Sequence, residues 1–118
     1  MRIITLCLLF MANAYALKGP LQTGWQGNDV CEKLSENEHQ QILRCTFPPG
    51  IGHEKHKHNT NFGYAISGGK MQITSEKGTK TVELATDSHF NSTGTNWHQV
   101  LNVGDTTVIY LMIEEKNR

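Results

Sequence analysis

The 118-residue sequence has little cysteine, little proline and no excess of charge of either sign. Three cysteines are too few for the dense disulfide framework that holds together secreted domains lacking a core. Three prolines exclude a polyproline or linker-like chain. Eleven Lys and Arg balance eleven Asp and Glu, so the basic surplus of a nucleic-acid binder is missing. No apolar run reaches the roughly 20 residues that cross a bilayer as a helix. Also absent are a phosphate-cradling glycine loop, a nucleophile elbow and an H-E-x-x-H helix. With 37% hydrophobic and 19% charged residues, the composition is that of one globular domain, too apolar for a disordered chain.

The first residues read as a targeting segment. Arg2 supplies a positive start, Ile3 to Met11 is nearly all apolar, and Ala14-Tyr15-Ala16 places small residues at the first and third positions. This is the pattern of a signal peptide spanning 1–16, with a secreted or periplasmic destination and no membrane span after cleavage. Cleavage would remove Cys7 and leave Cys31 and Cys45, a pair able to form a disulfide in an oxidising compartment. If their strands pair with the two directly opposed, they can bridge; one residue of slip sends them to opposite faces.

Residues 17–28 read as an irregular N-terminal arm, and 29–115 as one β unit. Gln40 to Phe47 is a strand-length run that stops at Pro48-Pro49-Gly50. Asn61 to Ile66, Lys70 to Thr74, Thr79 to Leu84, Trp97 to Val103 and Thr106 to Ile113 follow, separated by glycine-bearing turns. Cys31 to Gln41 lacks an apolar helical stripe and reads as a strand, a polar turn near Glu36-Asn37 and the start of the next strand. Short alternating runs at this spacing predict an all-β fold, a small antiparallel β-barrel or double-sheet jelly roll.

Six histidines stand out: His39, His53, His56, His58, His89 and His98. On an extended chain His56 and His58 share a face, about 7 Å apart, and His53 falls on the other. Two imidazoles on one face can chelate a first-row divalent metal, and His98, flanked by apolar residues in a late strand, is the candidate third ligand. His39 and His89 read as solvated or hydrogen-bonded surface residues. His53 reads as a loop residue that could bind the metal in place of His56 or carry protons at a site's mouth.

The order of these features resembles the cupin superfamily. Pro49-Gly50, five residues, His56-x-His58 and a strand ending at Gly69 are similar to its first motif. His98, three residues and Asn102 are similar to the end of its second motif. The resemblance covers about 30–115 and implies a cupin barrel with metal ligands at His56, His58 and His98. The metal would be Fe, Mn, Zn, Cu or Ni. The family usually adds a glutamate after three or four further residues, and here those places hold Phe62 and Gly63, with Asn61 one step earlier. The second motif departs too, with Thr93 in the place of its proline and Thr95 in that of a glycine. Glu54 and Tyr64 are the candidate replacement oxygen ligands.

The implied function is exported, metal-dependent action on a small organic molecule, of dioxygenase, isomerase or lyase type. The alternative is a non-catalytic cupin that binds a small ligand or the metal itself. Phe62, Tyr64 and Met71 are expected to form the walls of a mostly apolar pocket. In the last strand both Val108-Tyr110-Met112 and Ile109-Leu111-Ile113 are apolar, which fits a strand covered on both faces or a homodimer interface.

Overall fold

Alternation with period two sorts most of the chain into strands. The computed structural model describes residues 16–117. The signal-peptide reading falls almost entirely outside these residues. The elements are β1 (Cys31–Glu36), β2 (Gln40–Phe47), β3 (Gly52–His58), β4 (Asn61–Ser67), β5 (Gly69–Ser75), β6 (Gly78–Leu84), β7 (His89–Ser92), β8 (Thr95–Asn102) and β9 (Val108–Glu115). Among the described residues no helix is long and apolar enough to cross a membrane.

The strands form two antiparallel sheets, ordered β1-β2-β9-β4-β7 and β3-β8-β5-β6. This is a double-sheet jelly roll, and the two sheets do not close into a continuous barrel. Leu43, Cys45 and Phe47 of β2, with Val108, Tyr110 and Met112 of β9, project from the five-stranded sheet into the core. Met71 and Val100 meet them from the four-stranded sheet. The alternation in β9 is thus resolved: Ile113 lies outside and partly exposed, and Ile109 and Leu111 are half-buried.

Two devices aim the strand that carries the histidine pair. Pro48-Pro49-Gly50-Ile51 is a tight turn closed by the Ile51 amide donating to the Pro48 carbonyl at 3.0 Å. Gly50 has φ +80, as the third position of a type II turn requires, and Pro49 presets the second. Asn102 then ties the turn to the sheets. Its Nδ2 donates to the Phe47 and Thr106 carbonyls, both at 2.8 Å, and its Oδ1 accepts from the Gly104 amide at 2.9 Å.

Residues 17–28 lie along the free edge of β3. The Glu54 amide donates to the Gly24 carbonyl at 2.9 Å and the Lys57 amide to the Lys18 carbonyl at 3.0 Å. A side chain at Gly52 would collide with the Val100 carbonyl and the Trp25 ring, so the close approach of the arm depends on that glycine.

Cys31 and Cys45 are directly opposed across β1 and β2 and form a disulfide, with Cα atoms 4.0 Å apart. The Thr46 amide bonds the Val30 carbonyl, so the cysteines occupy a non-hydrogen-bonded position, where opposed side chains come closest. Every other residue of β1 is exposed, so the bridge and the ladder hold this edge strand to the domain. With a sequence separation of 14, loop closure is worth roughly 3 kcal/mol. The double variant Cys31→Ser, Cys45→Ser should unfold in urea with a stability lower by about that amount. Coincident unfolding curves for variant and parent would show that the bridge carries no stability.

Candidate metal centre

The site begins with a register fault. Between β3 and β8, His53 pairs with Val100 and His56 with His98, so three steps on one strand match two on the other. The extra residue is a β-bulge at Glu54-Lys55, and it turns two consecutive side chains outward. His53 therefore returns to the inner face beside His56 and His58, contrary to strict alternation. A compensating shift before the His58–Thr95 pair restores the count. His56 is left directly opposite His98, with Ser75 of β5 next in the same row.

Three imidazole nitrogens converge. Nε2 of His56 lies 2.9 Å from Nε2 of His58 and 3.0 Å from Nε2 of His98. His56 and His58 are buried and His98 is half-buried. Their protonation pattern follows from the outer partners. Nδ1 of His56 donates to the Glu54 carbonyl at 2.6 Å, and Nδ1 of His58 donates to the Glu114 carboxylate at 2.7 Å. An acceptor-only partner at Nδ1 leaves a lone pair at Nε2 in a neutral ring. Two lone pairs thus face each other at 2.9 Å, an arrangement that a shared cation satisfies. Ligands about 2.0–2.1 Å from one ion, at a right angle, stand roughly 2.9 Å apart, so the residues present fit a divalent transition metal.

Burial keeps the His56 and His98 rings neutral. Desolvation, and then the neighbouring imidazoles, push His56 down to about 2 and His98 to about 3. Desolvation also lowers His53 to about 4, against the opposing effect of its bond to the Thr23 carbonyl. His53 is not a fourth ligand. Its Nε2 donates to that carbonyl at 2.7 Å, and its ring stacks on His56 with centroids 3.7 Å apart. It supports His56 from the side of the disulfide, where Cys31 Sγ lies 3.9 Å from its Nδ1.

Glu114 was not among the residues expected here. It is buried, it orients His58, and its other oxygen accepts from Gln41 Nε2 at 3.1 Å. A ligand histidine held by a carboxylate is the usual way to fix its tautomer and raise its basicity. The signal was present in β9: the inward series Val108, Tyr110, Met112 reaches Glu114 at the next step.

The β4 residues differ from expectation. Asn61, Gly63 and Ala65 face inward, and Phe62, Tyr64 and Ile66 do not. Phe62 stacks on the His89 ring outside, and the Tyr64 hydroxyl donates to Asp87 at 2.7 Å, so neither lines the site. Small residues are needed inside because bulky neighbours fill that space. Ala65 pairs with Tyr110, and a Cβ at Gly63 would collide with the Phe90 ring. The place of the missing carboxylate is therefore covered by an aromatic ring. Glu54 is exposed and accepts from the Gln26 amide, so its carboxylate does not replace it. Met71 is buried and lines the cavity beside the imidazoles. His39 is exposed and lies against Glu38.

No protein-family model and no curated protein matches the chain. Solved structures do. A cupin domain from Bordetella pertussis Tohama I superposes with a TM-score of 0.68 at 23% identity, covering 74% of this chain and 92% of that one. The chain has the cupin fold. A cupin superfamily protein from Desulfitobacterium hafniense DCB-2 gives a TM-score of 0.57 at 15% identity, over 72% of this chain and 74% of the other. A predicted oxalate decarboxylase from Thermotoga maritima gives 0.51 at 19% identity, over 70% and 76%. In this fold the histidine cluster sits between the sheets, at one end of a cavity of about 540 Å3.

Proposed function

We propose that this chain is an exported cupin that binds one divalent first-row metal through His56, His58 and His98 and acts on a small organic molecule in the adjoining cavity. The observation that carries the reading is the pair of outward-committed Nδ1 protons, which leaves the Nε2 lone pairs of His56 and His58 facing each other. When bound, the metal would supply Lewis acidity or oxygen activation to a molecule at its open positions. The protein holds the ligand rings: Glu114 orients His58, the Glu54 carbonyl orients His56, and the His53 ring backs His56. The signal-peptide pattern at 1–16 and the Cys31–Cys45 bridge support export.

Arginine is not part of the cavity. Among the described residues the one arginine, Arg44, lies on the outer face, paired with Glu32. A small dianion such as oxalate would find no guanidinium there.

Metal analysis of protein purified without a histidine tag tests the proposal. About one equivalent of a first-row metal is expected, and Glu114→Gln should weaken its binding ~10–100-fold without loss of the β fold. Protein that arrives metal-free and takes up none of Fe, Mn, Zn, Cu or Ni would exclude the site.

A further inference from the structure

We infer that the Tyr110 hydroxyl is a ligand-binding group of the cavity, donating a hydrogen bond to an uncharged oxygen on a small, mostly apolar molecule. This deepens the reading above and rests on it for the cavity's being a ligand site.

Strand order puts Tyr110 at the cavity. β9 lies in the middle of its sheet, with Tyr110 between Cys45 of β2 and Ala65 of β4. Its side chain stands on the inner face between Val108 and Met112, and its ring packs on Phe47 with centroids 5.4 Å apart. Tyr110 is 8% exposed, and an inward residue on a central strand keeps such surface only towards interior space. That space is the cavity, which Tyr110 lines together with Met71, Val100 and Met112.

The hydroxyl is not committed elsewhere. Tyr64 donates its own to Asp87, whereas the Tyr110 hydroxyl has no hydrogen-bond partner among the described residues. Nor is it sealed: among those residues Asn61 Oδ1 is the one partnerless polar side-chain atom without accessible surface. The Tyr110 oxygen therefore opens on the cavity. Burial, and then the Glu114 charge, hold its pKa up, so at neutral pH it is a phenol with a proton to give. The same two causes act against a carboxylate placed beside it, which leaves a carbonyl, ether or hydroxyl oxygen as the acceptor. Water can serve the hydroxyl, and a molecule that displaces this water without replacing its bond binds less well.

The rest of the wall sets the body. Val82, Leu84 and Phe90 add to the two methionines, and the volume of about 540 Å3 lies within the range of small-molecule pockets. The charged lining residues, Glu76, Lys77 and Lys80, are exposed and belong to the β5–β6 turn and the start of β6. Tyr110 stands four residues before Glu114, which holds His58, or about 13 Å along the strand. The oxygen is thus gripped away from the imidazoles, with the apolar body between.

The test uses three ring probes: acetophenone, α-methylstyrene, in which a CH2 group replaces the carbonyl oxygen, and benzoate. Each is titrated by NMR into full-length protein as purified, with metal content measured in the same samples. Tyr110→Phe should weaken acetophenone roughly tenfold, the scale of one good hydrogen bond, and leave α-methylstyrene unchanged. It should also melt no lower than the parent, because the hydroxyl has no partner in the protein to lose. Val82→Trp, which narrows the cavity without touching Tyr110, should weaken both ring probes. The inference is overturned if the parent binds neither acetophenone nor α-methylstyrene, if Tyr110→Phe affects the two alike, or if it weakens benzoate more than acetophenone. A Tyr110→Phe melting temperature lower by about 5 °C or more would place the hydroxyl in an internal bond and overturn it too. So would a Val82→Trp protein that binds both ring probes unchanged. Metal uptake without a Tyr110-dependent preference would sink this inference alone. A Tyr110-dependent preference in protein that takes up no metal would support it and sink the metal reading alone.

Discussion

Replacing His98 with alanine is expected to remove metal binding while leaving the jelly roll intact. His98 supplies one of three convergent nitrogens, and it is the half-buried member of the set. Its side chain stands on β8, whose pairing with β5 runs from Met71–Asn102 to Ser75–His98 and does not depend on the imidazole. Loss of a direct ligand should cost more than the ~10–100-fold that removal of an outer partner costs. His58→Ala should match it in metal content but lose more stability, because it leaves the buried Glu114 carboxylate without the ring that binds it. The measurements are zinc competition titrations and thermal melts of both variants. If both retain parental metal content, the three-histidine site is wrong; if only His58→Ala loses metal, His98 is not a ligand.

Acid should unfold the metal-free protein at mild pH. His53, His56 and His98 are held neutral in the fold, at about 4, 2 and 3, against about 6.5 in an unfolded chain. A depressed value means that the unfolded chain binds protons first. The contribution of each ring is therefore fully present above about pH 6.5 and is lost as pH falls towards the folded values. At pH 5 each neutral ring costs on the order of 2 kcal/mol relative to pH 7.5. Three such rings rival the roughly 5–15 kcal/mol by which domains are stable. Urea unfolding at pH 7.5 and 5.0, after chelation of any metal, should show a drop of several kcal/mol. Equal midpoints at the two pH values would mean that the rings are not buried as neutral groups. Zinc should shift the loss to lower pH, because a bound ion competes with protons for the same lone pairs.

Much of this was readable from residue order. Gln40–Phe47 and the later strands are marked by alternation and glycine turns, and the His-x-His pair by its phase. Three features were not. The bulge at Glu54-Lys55 has no sequence mark of its own, so simple alternation puts His53 on the wrong face. In β4 the larger apolar set, Phe62, Tyr64 and Ile66, lies outside, because Tyr110 and Phe90 on neighbouring strands already fill the interior. What decides a face there is the volume left by residues far away in the chain. Glu114 was hidden differently. With both faces of β9 apolar, neither phase stands out, and nothing in the sequence singles out the carboxylate at the strand's end.

The arm along β3 has a consequence for how these molecules meet one another. β3 is the outermost strand of its sheet and carries two of the three convergent histidines. Bare, its unpaired amides and carbonyls would be a template on which a second chain could add a strand. Lys18 and Gly24 already accept from two of those amides, and Trp25 fills the space above Gly52. Lys55 and Lys57 stand outward on the same strand, and Lys55 lies over the Trp97 ring. The stretch of chain between Lys18 and Trp25 thus acts as a guard against strand-by-strand association, at the one edge where such pairing would pull the ligand strand out of register.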